Sequence, residues 1–199
     1  DAGREEFEEA ARREGLRSFE IKELDPDGLM TPADRRNEYF PARQLEPRKA
    51  SEALLGFDLG SEAVSLEALN RARDRGKPVT SAPIRFSLEN GGQAGILIVA
   101  PAYGAGATPV TVEQRRRDFM GVAAWLLSVD DIMENALKGI LKDGIEIRIE
   151  DKSEPSDVLL YDSGAGPARS AAVVMQQEIA QQLGARNWML TFYPSRQYA

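Results

Sequence analysis

Apolar positions along the chain switch between two periods. In residues 4–14 Phe7, Ala10 and Ala11 recur at helical spacing among Glu and Arg, and Gly15 follows as a C-terminal stop; this predicts a helix with one buried stripe. "LRSFEIKEL" then alternates, with Phe19, Ile21 and Leu24 set against charged neighbours, the period of a half-buried strand. "DPDG" at 25–28 is a turn by composition. Pro41 and Pro47 each push the preceding residue out of the helical region, so 39–47 is read as extended. Helices are expected over 48–55 and 63–75, the second carrying Val64, Leu66, Ala68, Leu69 and Ala72 and ending at Gly76.

Further on, "PVTSAPIRFSL", the turn "ENGG" and "QAGILIVAPAY" form a candidate antiparallel hairpin over 79–103. A loop and a short helix lead to the apolar strand "FMGVAAWLLSV", which runs into the helix "DDIMENALKGIL". The strands "GIEIRIED" and "DVLLYDS", a helix or helix-like connector "AAVVMQQEIAQQLG" and a last strand "NWMLTFYPS" complete the chain. This order predicts an α+β fold of two units in series, 1–128 and 129–199, each an antiparallel sheet with flanking helices.

Composition narrows the chemistry. Hydrophobic residues make up 42% and charged residues 29% of 199, as in an ordinary globular protein rather than a disordered one. A net charge of −7 and a pI of about 4.9 provide no broad basic field for nucleic acid. The chain has neither cysteine nor histidine, which removes disulfides, thiolate chemistry, the commonest general base and the commonest transition-metal ligand. No apolar run approaches the roughly 18–20 residues that cross a bilayer. The start "DAGREEFEEAARREG" is neither a signal peptide nor a methionine start, so the chain reads as an excised fragment.

Individual motifs point to catalysis only weakly. "YGAGATP" at 103–109 and "SGAGPA" at 163–168 contain G-x-G but lack a third glycine or a phosphate-binding lysine, and read as surface loops. Asp130, Asp131 and Glu134 fall in a first helical turn, where acids suit the helix dipole. "EQRRRDF" reads as a solvated helix face, and Ser81, Ser87 and Ser170 have no histidine to activate them. In 81–88 the odd positions Ser81, Pro83, Arg85 and Ser87 are polar or small, while Ala82, Ile84, Phe86 and Leu88 are apolar. That pattern fits either an amphipathic strand with one wet face or a strand whose polar face is roofed into a small-molecule pocket.

The succession "EYFPARQLEP", "ALLGFDLGSE", "ALNRARDRGKPVTSAPIRF", "GILIVAPAY" and "RRRDFMGVAAWLLSVDDIMENAL", over about 35–137, resembles the CHASE sensor domains. These are extracytoplasmic parts of membrane-bound histidine kinases and nucleotide cyclases, including the plant cytokinin receptors. "DGIEIRIEDKSEPSDVLLYDS" and "NWMLTFYP" resemble the end of the same family. The resemblance implies two PAS-like units, the membrane-distal one binding a small molecule, with a stalk helix and membrane spans largely outside this chain and homodimerisation through that stalk. Localisation would be periplasmic or extracellular, with a cytoplasmic kinase or cyclase, diguanylate cyclase included, as output. Aligned at "RARDRGK", an acidic ligand contact of the plant receptors falls on Ser65, which keeps a hydrogen bond but gives up its charge-assisted strength. Ser81 and Ser87 match a small hydroxylated residue and a backbone contact, and Ala53, Leu59, Leu97 and Val99 match lining positions.

Arg85 either points inward, where its fork would suit a carboxylate or phosphate on the ligand, or is a surface arginine. Tyr103 and Asp58 are candidate rims, and Asp58 equally suits a turn cap. No cofactor, metal or catalytic residue is implied. Two other readings stand beside the sensor: a hydrolase using carboxylates alone, and a protein-interaction module without a small-molecule pocket.

Overall fold

The computed structural model describes residues 2–47, 52–86, 93–104, 109–138, 145–153, 157–164, 176–183 and 186–194. The chain forms two compact units, Asp1–Glu67 and Ala68–Ala199. Among the described residues every pair of strands is antiparallel, with one isolated parallel bridge from Lys22 to Phe57, and the fold is α+β.

The first unit begins with α1 (Ala2–Arg13). Gly15 stops it with a positive φ of 103°. The Gly15 N–H donates to the Arg12 carbonyl and the Leu16 N–H to the Ala11 carbonyl, the paired closure of a left-handed helix end. The predicted stripe is buried: Ala11 packs with Phe19, Ile21 and Ala33, flanked by Phe7, Leu16, Tyr39 and Leu55. Phe7 meets Phe19 edge-on at 5.9 Å between centroids.

The alternation read over 16–24 becomes strand only in β1 (Lys22–Leu24), which pairs with β2 (Met30–Pro32). Phe19 and Ile21 are buried as expected, whereas Leu24 is exposed because it stands at the hairpin end. The "DPDG" turn forms: the Asp25 carboxylate accepts from the Asp27 and Leu29 N–H groups at 3.0 and 2.8 Å, and Gly28 takes a φ of 80°. Of the helix expected at 48–55, the described part is a single 3₁₀ turn, Glu52–Leu54; residues 48–51 lie outside the described residues.

The aromatic pair of the extended segment is used inside this unit. The Phe40 side chain is buried. The Tyr39 ring has the Arg4 and Arg36 guanidinium groups at 5.5 and 5.9 Å, and its hydroxyl donates to the Asp34 carbonyl. A guanidinium is weakly hydrated for a cation and suits an aromatic face, so these arginines serve as packing as well as charge.

Helix α2 (Ala63–Arg75) ends at Gly76, whose φ is 65°. In the second unit, β3 (Val79–Thr80) and β4 (Ile84–Phe86) pair with one edge of β5 (Gln93–Tyr103), and β6 (Phe119–Ser128) pairs with its other edge. The two expected strands therefore pair antiparallel; residues 87–92, which include Ser87, Leu88 and the expected turn "ENGG", lie outside the described residues. Helix α3 (Val112–Arg117) leads into β6, and α4 (Val129–Leu137) follows directly.

A second sheet has the order β8–β7–β10–β9, from β7 (Ile145–Asp151), β8 (Val158–Asp162), β9 (Gln177–Leu183) and β10 (Arg186–Pro194). The strict alternation of β7 turns Ile147, Ile149 and Asp151 inward. Val129 and Leu137 of α4 join Ile147, Ile149, Leu160 and Tyr161 in one core. Asp151 ends the inward row fully buried, and the Arg186 Nε meets its carboxylate at 2.8 Å.

One expectation is overturned here. Residues 177–183, read as helix-like, are strand β9, paired along β10 from Gln177↔Phe192 to Arg186↔Leu183. The Gln, Glu, Ala and Leu of this segment favour a helix locally. Cross-strand pairing outweighs that preference, because β10 would otherwise leave a whole row of N–H and C=O groups unmet.

Candidate functional site

The ligand-contact positions expected from the sequence fall in both units. In the first, Ala53 is exposed on the 3₁₀ turn, Leu59 is half-buried, and Ser65 is buried in the first turns of α2. The Ser65 N–H donates to the Glu62 carboxylate at 2.8 Å. Asp58 caps its turn, as one of the two sequence readings had it. Fully buried, its Oδ1 accepts from the Gly60 and Phe40 N–H groups at 2.9 and 2.7 Å, and its Oδ2 from Arg36 at 3.2 Å.

In the second unit the sheet has a break that the sequence pattern did not signal. Val79 and Thr80 stand opposite Val99 and Ile98. Ser81 continues this ladder, its N–H donating to the Leu97 carbonyl at 2.8 Å. Pairing resumes with Ile84 opposite Gly95 and Arg85 opposite Ala94. Ala82 and Pro83 thus occupy the span that Ile96 alone fills on β5, which is one extra residue and a bulge. Pro83 supports it, having no N–H to give the ladder.

A one-residue offset exchanges the faces of everything beyond it. Positions 81 and 85, expected on one face, are therefore on opposite faces: 81 sides with Leu97 and Val99, and 85 stands opposite position 94 on the other face. The continuous polar face read over 81–88 is corrected accordingly. Ser81, Leu97 and Val99 are gathered together and all buried. The Ser81 hydroxyl donates to the Ala82 carbonyl at 2.6 Å and accepts from the Leu97 N–H at 2.9 Å. It holds the bulge in shape, and of its hydrogen-bonding capacity one lone pair remains.

Tyr103 closes the far end of β5, where its hydroxyl donates to the Arg73 carbonyl at 2.6 Å. Burial pushes its pKa above the ordinary phenol value. Around it lies a cluster that sequence reasoning missed. "EQRRRDF" is no plain solvated face: Arg115 donates to the Asp74 carbonyl at 2.8 Å, and Arg116 forks onto the Asp74 carboxylate at 2.9 and 2.6 Å. Arg116 holds the Asp74 carboxyl below its ordinary value. Two carbonyls at the C-terminus of α2, those of Arg73 and Asp74, are thus met by side chains. Gly76 leaves the room, since a Cβ there would stand 2.7 Å from the Arg115 Nε. The run of arginines before β6 was the available signal, but its target lies about forty residues away.

Of the acidic trio, two sit where the helix-dipole reading puts them, and Glu134 falls beyond the first turn. Asp130 and Asp131 occupy the first turn of α4, capped by the Ser128 hydroxyl, which accepts from the Asp131 N–H at 3.1 Å. Residues 105–108 and 165–168 of the two G-x-G loops, and Ser170, lie outside the described residues. Among the described residues no helix is long and apolar enough to cross a membrane.

These features define a class first: an α+β domain of antiparallel sheets whose polar groups are arranged to hold backbone. The CHASE domain family model matches residues 1–161, and the chain belongs to that family. CHASE domains are sensor domains of signalling receptors. The chain is also similar to hybrid signal transduction histidine kinase A of Dictyostelium discoideum, 25% identical over 190 residues, covering 84% of this chain. It spans 9% of that relative's length.

Proposed function

We propose that this domain is the extracytoplasmic, small-molecule-sensing part of a membrane-anchored, homodimeric receptor whose output is a histidine kinase or a nucleotide or diguanylate cyclase. The observation that carries this reading is the family match over residues 1–161. The histidine-kinase relative supports the kinase form of output. In this reading 1–128 and 129–199 are two PAS-like units. The ligand binds in the former on the β3–β5 sheet, against the face of Ser81, Leu97, Val99 and Tyr103. Position 85 lies on the other face of the sheet, so Arg85 is not assigned to a ligand on this one, and Ser87, Ser65, Ala53 and Leu59 keep the ligand-contact roles given by the family alignment. Signalling follows from the ligand's differential affinity for two arrangements of the receptor.

A native mass spectrum of the purified domain, followed by a thermal-shift screen of adenines, amino acids and organic acids, tests the reading. A compound at a hundred times its Kd adds about 2.7 kcal/mol of apparent stability. Ser81→Trp should abolish the shift given by a binding compound, and Arg117→Ala should leave it intact, each read against its own unliganded midpoint. A bare mass spectrum with no shift across the screen would overturn small-molecule sensing.

A further inference from the structure

We propose that the free edge of β6 pairs, antiparallel, with the same edge of a second copy of this chain. β6 runs along β5 from Gly95↔Ser128 to Tyr103↔Phe119, and among the described residues no strand pairs its other edge. Exposed edges are normally guarded by a charge or a proline inside the strand. "FMGVAAWLLS" has neither. Four consecutive residues, 123–126, are exposed, so both faces of the strand are open there, with Trp125 at 53% and Leu126 at 39%.

What fits this edge is set by shape and by charge. Symmetric antiparallel pairing centred on Ala124 sets the bulky Trp125 of each copy against the small Ala123 of the other, and Leu127 against Gly121. Arg115, Arg116 and Arg117 precede the strand with Asp118 between them and Phe119, a net positive end, and Asp130 and Asp131 follow the strand. Antiparallel pairing brings the basic end of each copy to the acidic end of the other, whereas parallel pairing would set like against like. Arg116 is held by Asp74 and Arg117 by Asp118, but both side chains stay mostly exposed, at 58% and 71%. Their charge therefore faces outward at the strand's end. A strand from an unrelated protein would share the backbone chemistry without this match.

The chain has no cysteine, so Ala124→Cys introduces a single thiol. Opposed residues in antiparallel strands have Cα atoms about 4.5–5.5 Å apart, and mild oxidation should link the copies. Gln181→Cys, exposed on β9, should not. In sedimentation the unmodified chain should dimerise with rising concentration. Ala124→Lys, which sets two lysines face to face, should weaken that by about tenfold or more with no change in the urea midpoint. Arg117→Asp and Asp131→Arg should each weaken it, and together restore it. A monomer at every concentration, with the Ala124→Cys variant no more readily linked than Gln181→Cys, would overturn the proposal, and so would a dimer indifferent to Ala124→Lys. None of these readouts needs a ligand, so failure here is separate from failure of the sensor reading.

Discussion

Asp58 shows how little freedom single residues have in this chain. Its carboxylate meets two backbone N–H groups and one guanidinium with no exposure of its own. Asp58→Ala would strand the two N–H groups and leave the Arg36 guanidinium to Glu23 alone, a loss of about 3 kcal/mol in total. Urea denaturation should show that loss, and a midpoint within error of the parent would refute the role given to Asp58. Tyr103→Phe is gentler. It removes one hydrogen bond to the Arg73 carbonyl, expected at about 1 kcal/mol, and hydrogen exchange should rise first at the C-terminal turn of α2. Exchange that rises elsewhere, or not at all, would separate Tyr103 from the helix end.

Several elements are decided by one residue in a special place. Gly56 has a φ of 84°, and a Cβ added there would lie 2.0 Å from the Glu20 carbonyl oxygen. Gly56→Ala should therefore cost about 2 kcal/mol or more, read as a lower thermal midpoint. The same scale explains which readings held. Helices α1 and α2 and their glycine stops were legible, because helical spacing and a residue tolerant of positive φ are local signals. The bulge at Ala82–Pro83 was not. An extra residue is visible only against a partner strand, and the alternation of 81–88 looks regular until β5 is laid beside it. The helix-like reading of β9 failed for a related reason: its helical preference is weaker than the need of β10 for a partner.

At the scale of the whole molecule, paired carboxylates set the pH response. Burial pushes the Glu8 carboxyl up, but the Ile21 N–H, Arg4 and Arg12 together hold it below its ordinary value. Arg116 does the same for Asp74, and Arg148 for Glu150. A lowered folded pKa contributes stability that is present above the unfolded carboxylate value and is lost as pH falls through the folded one. Stability should therefore be level near neutrality and fall on the acid side of the ordinary carboxylate range. Urea midpoints taken at successive pH values would check this, and a midpoint unchanged well below that range would contradict it.

By itself the sequence determined the α+β class, the helix ends, the turn at Asp25, the absence of thiol and imidazole chemistry, and a motif order that resembles the CHASE family. Each of these depends on neighbours in the chain or on composition. Only the tertiary structure decided that positions 81 and 85 part to opposite faces, that Asp58 caps a turn, that Arg115 and Arg116 reach back to the end of α2, and that among the described residues no strand pairs the second edge of β6. Those outcomes depend on pairing across dozens of residues, where register and burial outweigh the local pattern.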